Sequence, residues 1–354
     1  MLVLGDARQV HLRRWATYFA RDGFDVLAVS LEPGDDFPTP FRRIRVTNAL
    51  PDAIRYPLAA MAVRRIARAF RPDVVSAHFV PNYGLIAALV VRRPWVLSTW
   101  GSDIMTDPEK SEFHRRRVRF VLRRAAWVTS DAVVMTERIR DFGVPAERIL
   151  TFPYGVDVSA FHPQHAPSAR GPRIVTNRKL ESVYSVETII DAFAAVREAL
   201  PDATLTIAGD GSQRASLIQR AERSTAAGFV TFVGAVDHAR MPALLQAHDV
   251  YVSAARSDTT SVSLLEAMAC GLFPIVTDIP ANREWIVDGE SGRLVPPGEA
   301  TRVAVAIIDS WRNAELRERA RRINLDVVQA RARWEESMRP AKDLFEELAG
   351  RPAT

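Results

Sequence analysis

Short apolar segments alternate with helix-patterned segments along this chain, and the alternation runs through twice. In the first half, apolar runs at Leu2–Leu4 and Trp95–Ser98 are separated by stretches with an apolar residue at every third or fourth position, and a further strand is expected at Ile44–Val46. After residue 172 the pattern restarts at Arg173–Thr176 and continues to Phe273–Val276. Strands that alternate with helices are typical of a parallel sheet with helices on both faces. We therefore expect an α/β protein of two doubly wound domains.

A proline-rich stretch separates the two halves. Residues 158–172 contain three prolines and one glycine but no long apolar pattern, which is typical of a linker. We expect a first domain at 1–158, a linker at 159–172, a second domain at 173–325, and a helical region at 326–354 that packs back across the domains. Because ligands of such sheets bind at the carboxyl ends of the strands, the cleft between the domains is the expected site.

Composition limits the compartment. The single cysteine, Cys270, permits no intrachain disulfide, which fits a reducing compartment. The chain has no run of about 18 uncharged apolar residues, so no transmembrane helix is expected. The short apolar start at Met1–Gly5 is broken by Asp6 and Arg8, so no signal peptide is expected either. We expect a cytoplasmic protein, with peripheral contact at the inner face of a membrane left open.

The positive charge is confined to the first part of the chain. Residues 1–150 carry 24 Lys and Arg against 16 Asp and Glu, whereas the other 204 residues carry 23 against 26. Six arginines of this part lie in the predicted helix Ser111–Arg124. This helix is either an ordinary amphipathic surface helix or a docking face for anionic lipid or an anionic acceptor. Nucleic acid is not expected as a partner, since no aromatic residues interleave with the basic ones.

The segment 257–271 carries the clearest chemical signal. It follows a predicted strand and opens a helix, with Ser261 as the predicted N-cap. Backbone N–H groups of residues 261–263 at a helix start form an anion site. Glu266 lies four residues after Val262 on an otherwise apolar helix, and a buried carboxylate needs a partner. Glu266 therefore either accepts hydrogen bonds from a ligand's hydroxyl pair or points to solvent.

The spacing from Asp258 to Glu266, followed by Ala-Met-Ala-Cys-Gly, resembles the second-domain signature of family 4 glycosyltransferases. Three other segments, Tyr154–Asp157, Ile207–Gly211 and Phe232–Gly234, resemble segments of that family in order and spacing. The resemblance implies a GT-B fold, in which two Rossmann-like domains face a central cleft. It also implies a retaining hexosyltransferase that moves a sugar from a nucleotide-sugar to an acceptor hydroxyl by a front-face route.

The resemblance also implies roles for residues of the second domain. Glu266 would accept the ribose hydroxyls, Asp258 would lie beside the donor sugar, and the N–H groups of Ser261, Val262 and Ser263 would cradle the diphosphate. Val233 and Gly234 would face the base, and Arg178 and Lys179 would neutralise the leaving diphosphate, on which negative charge develops. Side chains alternate along a strand end, so one of these two cations is expected to face the site, and Arg178 is favoured.

Three residues of the first domain are further candidates: Asp103 and His78 as catalytic residues, and Gly5 as a donor-binding residue that would let the backbone approach a phosphate closely. Asp103 follows a predicted strand and either holds an acceptor hydroxyl or caps a turn. His78 has the same topological position and is either catalytic or structural. Gly5 lies where the family has its glycine loop, at the end of the first predicted strand.

The sequence departs from the family at three positions. Asp258 stands where the family usually has glutamate, Trp100 where it often has histidine, and Tyr184 near its second basic residue. Two alternatives therefore stay open: a nucleotide-sugar epimerase of the same fold, and a weakly catalytic nucleotide-sugar-binding subunit of a membrane complex. No Asp-x-Asp motif occurs, so no metal is expected at the diphosphate. The expected donor is a UDP- or GDP-sugar, with no other cofactor, and the expected acceptor is a glycan, a lipid-linked molecule or a small molecule.

Overall fold

The structure is a computed structural model that describes residues 1–47, 49–164 and 170–350. Contacts separate it into two compact units. The first comprises Met1–Phe152 and the segment that begins at Met338, and the second comprises Pro153–Ser337. Each unit holds a parallel sheet with helices packed against it, which confirms the expected α/β class.

The first unit winds outward in both directions from its first strand. Its strands are β1 (Leu2–Leu4), β2 (Leu27–Ser30), β3 (Phe41–Arg43), β4 (Val75–His78), β5 (Trp95–Ser98), β6 (Trp127–Ser130) and β7 (Ile149–Thr151). Its helices up to β7 are α1 (Val10–Arg21), α2 (Asp52–Phe70), α3 (Leu85–Val90), α4 (Ser102–Met105), α5 (Glu112–Arg124) and α6 (Val133–Asp141). A π-helical turn, Phe79–Gly84, joins β4 to α3. The strands lie in the order β3-β2-β1-β4-β5-β6-β7, so the winding reverses between β1 and β4.

The second unit repeats this plan. Its strands are β8 (Arg173–Thr176), β9 (Thr204–Ala208), β10 (Val230–Gly234), β11 (Val250–Ser253), β12 (Phe273–Thr277) and β13 (Arg293–Val295), in the spatial order β10-β9-β8-β11-β12-β13. Its helices are α7 (Val186–Ala199), α8 (Arg214–Glu222), α9 (Met241–Gln246), α10 (Val262–Ala269), α11 (Pro280–Arg283), α12 (Ala300–Arg312), α13 (Ala314–Arg331) and α14 (Trp334–Ser337). The winding reverses between β8 and β11, which is where such sheets bind ligands.

Right-handed crossovers sort the helices of the first unit between the two faces of its sheet. Leu2 and Leu4 share one buried cluster with side chains of α2, α3, α5 and α6. A last helix, α15 (Arg339–Leu348), packs with α1, because the ring centroid of Phe345 lies 4.9 Å from that of Phe19. Within the described ranges, no helix combines the length and the apolar character that crossing a bilayer requires.

The strand boundaries predicted from the sequence are correct for several buried strands and wrong for the strand at the edge of the first sheet. Leu2–Leu4, Trp95–Ser98 and Arg173–Thr176 are strands with the predicted bounds. The prediction of a strand at Ile44–Val46 is wrong, since the edge strand is β3. The N–H of Ala28 donates to the carbonyl of Pro40 at 2.9 Å, and the ladder ends where Ile44 N–H reaches the carbonyl of Ser30 at 2.8 Å. An edge strand this exposed shows little apolar alternation in its sequence.

Residues 153–164 lie with the second unit, although the sequence placed the domain boundary at 159–172. The N–H of Val156 donates to the carbonyl of Ala332 at 2.7 Å, and Trp334 N–H returns to the carbonyl of Val156 at 2.9 Å. These bonds also interrupt the helical region expected at 326–354, whose last part, α15, lies in the first unit. The part of the expected linker at 165–169 lies outside the described residues.

Candidate functional site

The carboxyl ends of three neighbouring strands of the second unit lie close together. The N–H of Gly209, after β9, donates to the carbonyl of Gly234, at the end of β10, at 2.7 Å. Gly209 has a φ of +138°, and a Cβ there would lie 2.3 Å from the carbonyl oxygen of Arg178, which follows β8. A side chain at Gly209 would therefore displace the backbone of Arg178. The close packing at Gly209 therefore fixes the backbone position from which the Arg178 side chain extends.

Arg178 lies at the centre of a buried polar cluster. Its side chain is 8% exposed, and its Nη2 donates to Oδ2 of Asp258 at 2.7 Å. Its Nη1 donates to Oγ of Ser261, and its guanidinium carbon lies 4.3 Å from the ring centroid of Tyr184. Asp258 also accepts the N–H of Thr259 at 3.1 Å. We call Arg178, Asp258, Ser261 and Tyr184 the Arg178 cluster.

The guanidinium of Arg178 stays charged inside this cluster, where it pairs with the carboxylate of Asp258. Burial alone would lower the pKa of Arg178, but the carboxylate of Asp258 raises it above the ordinary arginine value. Burial raises the pKa of Asp258, and the neighbouring guanidinium opposes that shift. The guanidinium therefore keeps its charge, with Tyr251 as a further neighbour.

The start of α10 adds further donors next to this charge. Oγ of Ser261 accepts the N–H of Leu264 at 3.3 Å, which confirms the predicted N-cap. Within the described part of the chain, the N–H groups of Val262 and Ser263 have no acceptor. A helix N-terminus with free N–H groups carries partial positive charge. Arg178 and the α10 start together form a site suited to an anion.

Glu266 lies one turn further along α10 and is buried. It is 5% exposed, which excludes the solvent-facing alternative. Its Oε1 lies 3.2 Å from Nε2 of His238, a partner that the sequence reasoning missed. His238 follows the end of β10 by four residues and packs against Phe161 with ring centroids 5.5 Å apart. His238 could have been proposed from its position in the sequence, since polar residues that follow a parallel strand lie at the ligand-binding edge of the sheet.

The remaining predicted donor residues lie near the same edge but outside the Arg178 cluster. Lys179 is exposed and makes no ion pair with any described residue, whereas Arg178 is buried. Val233 is largely exposed and precedes Gly234, which has a φ of +73°. Within the described ranges, no group of three or more His, Cys, Asp or Glu side chains is arranged to hold a metal ion.

The carboxylate of Asp103 links two loops of the first unit through hydrogen bonds to their backbone. It is fully buried, and its Oδ1 and Oδ2 accept the N–H groups of Trp100 at 2.9 Å and Val80 at 3.0 Å. Burial raises the pKa of Asp103 to about 6. The neighbouring Phe79 has a φ of +75°, a strained conformation that these hydrogen bonds help to hold. This geometry corresponds to the turn-capping alternative for Asp103.

His78 and Gly5 are packed into the interior of the first unit. Nε2 of His78 lies 2.9 Å from Oγ of Ser76, and its ring lies against Trp100 with centroids 5.8 Å apart. Burial lowers the pKa of His78 to about 3, so the imidazole is neutral near pH 7. A Cβ at Gly5 would lie 2.5 Å from Cδ1 of Leu12, so Gly5 allows β1 and α1 to pack closely.

A His78→Gln variant is expected to lose less stability in acid than the native chain. The folded pKa of His78 lies below the unfolded value, so the unfolded chain binds the extra proton. The contribution of neutral His78 to the free energy of unfolding is complete above about pH 6.5 and falls by about 3 kcal/mol by pH 4. The raised pKa of Asp103 makes the fold more stable as the pH falls, which is opposite to the effect of His78. Because Asp103 is present in both proteins, its effect cancels when they are compared. Urea unfolding at pH 7 and pH 4 checks this, and equal losses in both proteins would contradict it.

Two family models match the chain. The model described as glycosyl transferases group 1 matches residues 157–324, and the model described as glycosyl transferase 4-like matches residues 1–132. Glycogen synthase of Mycobacterium tuberculosis is 26% identical over 270 residues, which are 73% of this chain and 65% of that protein. Phosphatidyl-myo-inositol mannosyltransferase of Mycobacterium leprae is 33% identical over 177 residues, 47% of this chain and 45% of that protein. The matches thus span less than two thirds of these relatives.

Solved structures resemble the whole chain. HepE of Anabaena, solved in complex with UDP-glucose, has a TM-score of 0.80 at 21% identity and covers 98% of this chain and 99% of its own. Sucrose-phosphate synthase of Thermosynechococcus elongatus has a TM-score of 0.83 at 16% identity, with coverages of 99% and 98%. These likenesses confirm the expected GT-B class of fold. With family models matching both halves, the chain belongs to the group 1, family 4 glycosyltransferases.

Proposed function

We propose that this chain transfers a hexosyl group from a nucleoside-diphosphate sugar to an acceptor hydroxyl, with retention at the anomeric carbon. The observation that carries the proposal is the buried Arg178 next to the free N–H groups at the start of α10. A buried cation beside a helix N-terminus suits a diphosphate better than a neutral ligand. HepE, with a similar fold, is described in complex with UDP-glucose, which supports UDP as the nucleotide.

Each donor contact follows from the chemistry of the residue involved. Arg178 and the N–H groups of Val262 and Ser263 would bind the diphosphate. Glu266 would accept both ribose hydroxyls, and His238 would hold its carboxylate in place through the 3.2 Å contact. Asp258 would lie beside the sugar hydroxyls while it keeps the Arg178 guanidinium oriented through their ion pair.

The reaction needs a cation more than it needs a protein nucleophile. The bond from the anomeric carbon to the phosphate oxygen breaks, and a bond from the same carbon to the acceptor oxygen forms on the same face. The acceptor proton passes to the departing phosphate oxygen, so charge and atoms balance without a covalent enzyme intermediate. Negative charge grows on the diphosphate as the bond breaks, and Arg178 is already in position to stabilise it.

The first unit would hold the acceptor at the carboxyl edge of its sheet. Phe79 and Trp100 line this edge, and their ring centroids lie 6.3 Å apart. In this proposal Asp103 is a positioning residue, since both of its oxygens already accept backbone N–H groups. His78 supports Trp100 as a neutral, buried ring.

Tyr184 is proposed to orient the arginine that binds the diphosphate. Tyr184→Ala is expected to weaken donor binding about thirtyfold, because a desolvated cation–π contact contributes about 2 kcal/mol. Tyr184→Phe retains the aromatic ring and should bind the donor as the native protein does. Calorimetric titration of the donor checks both variants, and equal losses in the two would contradict a role for the ring.

A panel of nucleotide-sugars tests the proposed function. Thermal unfolding of the intact chain with UDP-, GDP- and ADP-sugars in a chelator should single out one donor, since a ligand at about 100 times its Kd stabilises by about 2.7 kcal/mol. Incubation with acceptors should then give a product with the donor's anomeric configuration by NMR. Isomerisation of the donor without acceptor would indicate the epimerase, and tight binding without turnover would indicate the binding subunit. Failure of every nucleotide-sugar to bind would overturn the proposal.

A further inference from the structure

Three neighbouring helices of the first unit expose apolar side chains on one surface. Ile54, Leu58 and Met61 of α2 stand at helical spacing, and Met61 is 56% exposed. Phe113, near the start of α5, is 68% exposed, and two further exposed residues, Leu89 of α3 and Phe120 of α5, lie on the same helices. Exposed apolar residues that gather on neighbouring helices, unlike singly scattered ones, indicate an interaction surface.

These helices lie side by side. The connections from β3 to β4, from β4 to β5 and from β5 to β6 all run in the same direction along the sheet, so right-handed crossovers place them on one face. Helix α3 packs against both α2 and α5. We call the outward surface of α2, α3 and α5 the α2–α3–α5 face.

The same face carries a concentration of arginines. Its exposed or half-exposed members without an ion pair to any described residue are Arg64, Arg65 and Arg68 on α2, Arg92 and Arg93 after α3, and Arg119, Arg123 and Arg124 on α5. Arg124 lies over the exposed ring of Phe120, 4.3 Å from its centroid. Other arginines of α5 do have acidic partners; Arg116, for example, pairs with Glu112 at 3.0 Å. The face is therefore strongly cationic as well as apolar.

We propose that the α2–α3–α5 face docks this protein on the surface of an anionic lipid bilayer. Charge complementarity selects the occupant, because unpaired arginines gain from anionic headgroups while adjacent apolar side chains enter the acyl boundary. Either contribution alone gives marginal attachment, and the two together give a stable one. Nucleic acid would use the charge but leave Ile54, Leu58 and Met61 without a role.

Vesicle sedimentation of the full chain tests this proposal independently of any enzymatic activity. Vesicles of phosphatidylcholine with about one third phosphatidylglycerol should bind the protein, and vesicles of phosphatidylcholine alone should not. The triple variant Arg119→Gln, Arg123→Gln, Arg124→Gln should bind about a hundredfold more weakly. A matched triple in the second unit, Arg214→Gln, Arg223→Gln, Arg312→Gln, changes net charge equally and should bind as the native chain does.

The apolar part of the face has its own variant. Ile54→Ser, Leu58→Ser, Met61→Ser should leave binding at low salt but make it far more sensitive to added salt, since screening removes only the electrostatic part. Circular dichroism would establish that each variant is folded. No binding to anionic vesicles, or equal loss in the matched control, would overturn the proposal. Duplex DNA binding with the same arginine dependence but no vesicle binding would also overturn it.

Discussion

Arg178→Ala is expected to lower kcat/KM for the donor by about a thousandfold. A preplaced donor or cation that meets charge developing in the transition state contributes about 3–4 kcal/mol. Arg178 holds its charge next to the start of α10, where the diphosphate would bind. Arg178→Lys restores the charge but not the forked geometry, so it should recover part of the loss.

This substitution also leaves Asp258 without its guanidinium partner. Removing one member of a buried ion pair costs about 3–5 kcal/mol of folding free energy, so Arg178→Ala will be less stable as well as less active. The double variant Arg178→Ala, Asp258→Asn removes the unpaired charge and should recover stability without activity. Lys179→Ala is the matched control, because Lys179 is adjacent, basic and exposed.

Steady-state kinetics with urea unfolding of all these variants separates the two effects. We expect activity to be lost whenever Arg178 is replaced by alanine, and stability to be lost only when Asp258 is left as an unpaired carboxylate. A fully active double variant, or an equal loss in Lys179→Ala, would show that Arg178 does not act on the diphosphate.

Glu266→Ala is expected to weaken binding of the nucleotide by ten- to a hundredfold. Hydrogen bonds to a charged group contribute about 1.5–3 kcal/mol, and this carboxylate is buried with one oxygen on His238. Because the contact is to the ribose, the loss should be the same for the nucleoside diphosphate and for its sugar. KM for the donor should rise more than kcat falls.

A nucleotide without one ribose hydroxyl sharpens this test. The native protein should bind the 2′-deoxy nucleotide more weakly, whereas Glu266→Ala should barely distinguish the two, which is the coupling that a double-mutant cycle measures. Glu290→Gln is the control, since Glu290 is an exposed carboxylate of the same unit. If Glu266→Ala discriminated against the 2′-deoxy nucleotide as strongly as the native protein does, Glu266 would not contact the ribose.

Local patterns in the sequence predicted much of this molecule. Buried strands such as Trp95–Ser98 appear as apolar runs because both faces of a parallel sheet are covered. The N-cap at Ser261 is equally local, since cap and helix are adjacent in the chain. The edge strand β3 was misplaced because exposed residues impose no pattern on the sequence.

What the sequence could not predict depends on residues far apart in the chain. The contact of His238 with Glu266 spans 28 positions, and the hydrogen bond between Asp103 and Val80 spans 23. Tyr184 departs from the family's basic residue, and its contact with Arg178, although only six positions away, depends on how the loop between β8 and α7 folds. Periodicity records which face of an element is buried, but not which polar groups meet across elements.

Calorimetric titration of the preferred nucleotide-sugar into the intact chain, in the presence of a chelator, shows whether Arg178 and Glu266 hold the donor. We expect saturable binding at one site, a clear loss of affinity in both Arg178→Ala and Glu266→Ala, and native affinity in Lys179→Ala and His78→Gln. Binding that is unchanged by the substitutions at Arg178 and Glu266 would contradict the claim that the α10 start and the Arg178 cluster hold the donor.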